Sequence, residues 1–156
     1  MIDRQLSAHF WLREFLRSET ATRMGLKIET PPEDIIGNLA RLCHEVLEPF
    51  RVILGAPVTV LSGWRPPWLN TAVGGSVRSD HMVGRAADFV VAGIGNAEVC
   101  RRLAATTLPF KQCILEFPPL GWVHVSAPAP GMAAKREIIT AVKHDKTTVY
   151  LQGIRD

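Results

Sequence analysis

The apolar positions of this chain keep two different rhythms. Ile35, Leu39, Leu42, Cys43, Val46 and Phe50 recur at steps of three and four, the spacing of one buried helix face. Ahead of them, Thr30-Pro31-Pro32-Glu33-Asp34 joins a capping hydroxyl, prolines for a first turn and two acids facing the positive end of the helix dipole. Together they predict a helix from about residue 30 to residue 51. Gly37 interrupts it at a cost of about 1 kcal/mol relative to alanine. A shorter amphipathic stretch covers residues 6–18, and Asn96 opens a further helix, N-A-E-V-C-R-R-L-A-A, to about residue 106.

The second rhythm is short and β-branched. Residues 57–61, 86–92, 112–117 and 122–126 read as strands, with weaker signals at 138–142 and 147–151. In the fourth of these, alternation sends Val123 and Val125 one way and Trp122, His124 and Ser126 the other. Residues 63–80 are rich in glycine and proline and read as one long, functional or mobile loop. Helices followed by a mostly antiparallel sheet define an α+β class, and the 156 residues suit one domain, 1–156.

Composition narrows the function only by exclusion. With 47% apolar and 21% charged residues the chain has the balance of a globular protein, and no apolar run is long enough to span a bilayer. The N-terminal residues carry no signal-peptide pattern, so synthesis in the cytoplasm is expected. Cys43, Cys100 and Cys113 form no C-x-x-C pair and read as reduced, buried thiols. The net charge of +3 suits an anionic polymer, but its lysines and arginines are scattered, which argues against a nucleic-acid partner.

Three residues carry the main candidate chemistry. His81 and Asp88 lie in S-D-H-M-V-G-R-A-A-D, and His124 in G-W-V-H-V-S. Two neutral imidazoles and a carboxylate suit Zn²⁺ and leave a fourth position for water. Gly84 permits a sharp turn between the first two. Each histidine alone also fits a satisfied core or surface residue. Asp88, an acid inside an apolar strand, needs a metal or a salt bridge to Arg85 or Arg65.

These motifs resemble the zinc D-Ala-D-Ala peptidases of the M15 family, which share a core with the hedgehog signalling domain. L-S-A-H-F-W-L-R-E-F-L-R-S, N-L-A-R-L-C-H-E-V-L-E-P-F-R, S-G-W-R-P-P-W-L-N and V-G-G-S extend the likeness to the phage and prophage branch. The resemblance implies a hedgehog/DD-peptidase-like fold, helices packed on a mainly antiparallel sheet, with Zn²⁺ held by His81, Asp88 and His124. The family often sets a carboxylate three residues before its last histidine, and here that position is Gly121. Glu116, the nearest acid, stands where the resembled branch has a glutamate, which implies Glu116 as the general base. Arg65 fills the family position for a cation that steadies the oxyanion or a substrate carboxylate. Ser79 and Trp122 are expected substrate contacts, and Asn70 a brace for the loop. His9, His44 and His144 read as structural or solvated.

The function implied is a zinc-dependent peptidase of peptidoglycan stem peptides, either a D,D-carboxypeptidase or an endolysin-type endopeptidase. Such a protein is expected to be a monomer without stable membrane insertion, acting on the cell wall after release. The alternative is a catalytically inactive zinc-binding module of the same fold, used for recognition or as part of a phage particle.

Overall fold

A computed structural model describes residues 3–156 of the chain. Its centre is a six-stranded sheet in the order β1-β2-β4-β3-β5-β6. The strands are β1 (Val58–Ser62), β2 (Ala86–Val91), β3 (Gln112–Glu116), β4 (Trp122–Ser126), β5 (Glu137–His144) and β6 (Thr147–Gln152). All neighbours run antiparallel except β3 and β5. The expected α+β architecture, with a mainly antiparallel sheet, is present.

Period-two alternation gives the sheet two unlike faces. Ala87, Phe89, Cys113, Leu115, Val123 and Val125 are fully buried on one face, against Leu39, Leu42, Val46, Phe50, Val99 and Leu103 of the helices. Phe50 meets Phe89 edge-on at 6.5 Å between ring centroids. The opposite face carries the polar residues. One row there crosses every strand: Ser62, Asp88, His124, Ile114, Ile139 and Gln152. The pairing of β1 with β2 shifts between Val60 and Ser62, so Val60 stays opposite Phe89 while Ser62 turns to stand opposite Asp88.

The long helix starts later and ends later than its pattern predicts. Pro32, not Thr30, occupies the cap; α3 runs Glu33–Leu42, a π-helical turn follows at Cys43–Leu47, and α4 continues through Glu48–Leu54. Pro49 explains the turn. It has no amide to give the Glu45 carbonyl and its ring would collide with that group, so the wider turn just before it relieves the contact. The amphipathic start resolves into two short helices, α1 (Leu12–Phe15) and α2 (Glu19–Arg23). The predicted loop over 63–80 is also broken by a helix, α5 (Pro67–Ala72), which its proline-rich entry conceals. Gly95 rather than Asn96 caps α6 (Asn96–Ala104), and the Asn96 amide instead donates to the Gly121 carbonyl at 2.8 Å. Among the described residues, no helix is long and apolar enough to cross a membrane.

Candidate active site

A single 3₁₀ turn, Asp80–Val83, delivers His81 to the sheet. The Ser79 hydroxyl caps it by accepting from the His81 amide at 3.3 Å. Gly84 ends it with φ 68°, and a Cβ there would come 2.7 Å from the Ile35 carbonyl oxygen. Only glycine suits both demands. The Asn38 amide donates to the Val83 carbonyl at 2.8 Å and the Trp64 indole to the Met82 carbonyl at 3.2 Å. The turn is thereby pinned to α3 and to the segment that joins β1 to α5, which fixes the imidazole that projects from it.

Asp88 and His124 arrive by strand register, directly opposite each other on β2 and β4. All three side chains are buried. His81 Nδ1 lies 2.6 Å from the Gly63 carbonyl, to which it donates its proton, so Nε2 faces inward with a lone pair. From that Nε2 it is 3.1 Å to His124 Nδ1 and 3.3 Å to Asp88 Oδ1, and the last two atoms are 2.9 Å apart. The three atoms are close enough together to hold one metal ion. The donor set therefore fits a divalent metal, with one direction left open.

The electrostatics agree with that form. Burial raises the Asp88 carboxyl, but His81 and His124 outweigh it and hold the group well below the usual carboxylate range. Burial pushes His81 down, against the pull of Asp88. A deprotonated carboxylate and a neutral imidazole are the ligand forms of both groups. Of the two salt-bridge partners considered for Asp88, Arg65 is present, with Nη2 at 3.5 Å from Oδ2, while Arg85 turns to Asp80 at 4.0 Å. Burial lowers Arg65 in turn, partly offset by Asp88 and Glu116.

The three residues line a cleft of about 680 Å³, with Arg65, Ser79, Glu116 and Trp122 along its walls. Glu116 pairs with Trp122 across β3 and β4, one step from the row holding His124, so it is a diagonal neighbour on the same face. Diagonal neighbours sit about 7–8 Å apart, within reach of a glutamate side chain. Burial raises the Glu116 carboxyl, with His124 pulling it down and Asp88 pushing it up. Trp122 meets Phe117 edge-on at 5.6 Å. Asn70 is buried and donates to the carbonyls of Gly75 at 3.3 Å and Ser76 at 3.0 Å, bracing the loop. His9 contacts Glu48 far from the cleft, and His44 and His144 are exposed. The cysteines are free and buried. Burial raises the Cys43 thiol, and the hydrogen bond that Cys113 donates to Cys100 together with burial raises Cys113, so neither is a nucleophile.

The pattern missed one wall. Lys143, Thr148 and Tyr150 of the β5–β6 hairpin also line the cleft, and the weak strand signals of the tail gave no reason to place them there.

A sheet floor with two histidines and a carboxylate converging in a cleft, backed by helices, is a candidate metal site. The family model for Peptidase M15 matches residues 8–126, and the chain belongs to that family. It is a metallopeptidase by that membership. No curated protein matches the chain.

Proposed function

We propose that the protein is a zinc peptidase that hydrolyses peptidoglycan stem peptides, with Zn²⁺ held by His81, Asp88 and His124. The observation that carries this reading is the convergence of three ligand atoms, spaced 2.9–3.3 Å apart, at the floor of an open cleft. When bound, the metal supplies Lewis-acid polarisation of the scissile carbonyl and lowers the pKa of water toward neutrality. The remaining work falls to the chain. Glu116 takes a proton at its carboxylate and returns it to the leaving nitrogen, and burial makes it a stronger base than a solvated glutamate. The Arg65 guanidinium, fixed beside Asp88, faces the negative charge that develops on the carbonyl oxygen. Ser79 and Trp122 position the peptide. The wall peptide as substrate is supported by the likeness of S-G-W-R, the His81–Asp88 motif and W-V-H-V-S to D-Ala-D-Ala peptidases. With it goes a monomer that meets the wall after release and binds no nucleic acid.

The test is mass spectrometry of purified muropeptides before and after digestion with zinc-loaded and chelated protein. Two products whose masses sum to that of the substrate plus one water, formed only with metal, are expected, and they name the bond. Unchanged muropeptides with fully loaded protein would overturn the enzyme and favour the recognition module.

A further inference from the structure

The β5–β6 hairpin lies beyond residue 126, where the family match stops, yet it forms one side of the cleft. It is firmly attached. The Arg136 guanidinium at its base donates to the carbonyls of Ala104 at 3.2 Å and Thr106 at 2.5 Å, at the C-terminal end of α6, and stacks 4.6 Å from the Phe110 ring. On the site face the hairpin extends the Trp122–Glu116 row with Ala141 and Tyr150, and the next row outward pairs Lys143 with Thr148.

The cations of the cleft are not equivalent. Arg65 faces Asp88 at 3.5 Å and Lys111 faces Asp80 at 2.6 Å, so both are matched by acids. Among the described residues, Lys143 and Arg78 have no carboxylate within 4.0 Å. Of these two, Lys143 has its head group held in place. Its Nζ donates to the Thr148 hydroxyl at 3.1 Å and lies 5.1 Å from the centre of the Phe117 ring. Glu116, its diagonal neighbour across β3 and β5, feels the Lys143 charge but forms no ion pair with it, so an ammonium on the exposed outer wall, beside a hydroxyl and an aromatic ring, is left able to receive an anion.

We propose that Lys143, with Thr148 and Tyr150, forms a subsite for a carboxylate of the peptide substrate, at least one residue removed from the bond that is cut. The inference rests on the peptidase reading and adds a substrate feature to it. Position sets the distance. Lys143 is four residues along β5 from Ile139, which shares the row of His124, and two strands away from β4. At about 4.8 Å per strand and 3.3 Å per residue, its Cα lies about 16 Å from that of His124. A lysine stem spans only part of this, so the ammonium cannot hold a group directly next to the scissile carbonyl. Glu116 stands one row from His124, on the same side, and repels a carboxylate at that depth. The two charges sort the substrate: its carbonyl goes inward and its acid outward.

Synthetic stem peptides with the D-glutamyl α-carboxylate free or amidated test the assignment, using wild type, Lys143→Met and Lys143→Arg. Steady-state kinetics is read as the acid-to-amide ratio of kcat/KM, and binding is measured by calorimetry in zinc-loaded protein carrying Glu116→Gln. Wild type should prefer the acid about tenfold, the size of one charge-assisted hydrogen bond. Lys143→Met should bring the ratio close to one, mainly through KM, and Lys143→Arg should restore most of it. A wild type indifferent to amidation, or a Lys143→Met protein that keeps the preference, would overturn the subsite. If neither peptide is cleaved but binding still shows an acid preference that Lys143→Met abolishes, the subsite stands and the peptidase reading falls.

Discussion

At position 121 a side chain has no room. A Cβ on Gly121 would lie 1.8 Å from the Glu116 carbonyl oxygen, because the connection between β3 and β4 folds back on itself there. This is the position where the resembled family often sets its carboxylate, and the tight return that excludes it also brings Glu116 beside His124. The glycine and the glutamate are therefore one arrangement, seen from two ends. Gly121→Ala should destabilise the protein by about 2–4 kcal/mol in urea unfolding, since backbone has to move to admit the methyl. Glu116→Gln should bind zinc as wild type does, measured by metal analysis, and lose at least about 10²-fold in turnover. His81→Ala should lose the metal itself. A Glu116→Gln enzyme with full turnover would remove that residue from its role.

Among the elements, the long helix shows how far local pattern reaches. Its apolar face was legible because spacing of three and four is a property of neighbouring residues. Its start was not, because Pro31 and Pro32 suit both a first turn and an extended lead-in, and packing decided for the latter. Gly37 lies on its exposed face, and a Cβ there would meet nothing within 4 Å. Gly37→Ala should thus stabilise the protein by about 0.5–1 kcal/mol in thermal or urea melts. Glu48, at the start of α4, ties the helix to the N-terminal segment: Ser7 Oγ and the His9 amide each donate to it at 2.7 Å. Burial would raise this carboxyl, but those hydrogen bonds outweigh it and hold it below the ordinary value. Its folded pKa lies under the unfolded one, so its contribution is complete above about pH 4.3 and fades as pH falls through the folded value. Glu48→Gln should cost about 1–2 kcal/mol at neutral pH, with the two stability curves converging in acid.

Over the whole molecule, the site is a meeting of parts that are distant in sequence: a turn after α5 and two strands separated by a helix and a third strand. Ligands that converge only in the folded chain bind a metal far better there than in the unfolded one, so metal should stabilise the native state. Zinc at about a hundred times its Kd should raise Tm by about 5–10 °C, and chelation or His81→Ala should abolish the rise, read by calorimetry. The sequence by itself determined which side chains could act, because ligand chemistry, alternation along β4 and the spacing of the helix face are local properties that the motifs display directly. Only the tertiary structure decided which of them meet. It set Glu116 diagonal to His124 through strand register, matched Arg65 to Asp88, and carried Lys143 to the cleft on a hairpin whose own pattern was faint. Register and crossover are settled by burying the far face of the sheet under the helices, an energy summed over the entire core, and no single stretch of the chain holds that sum.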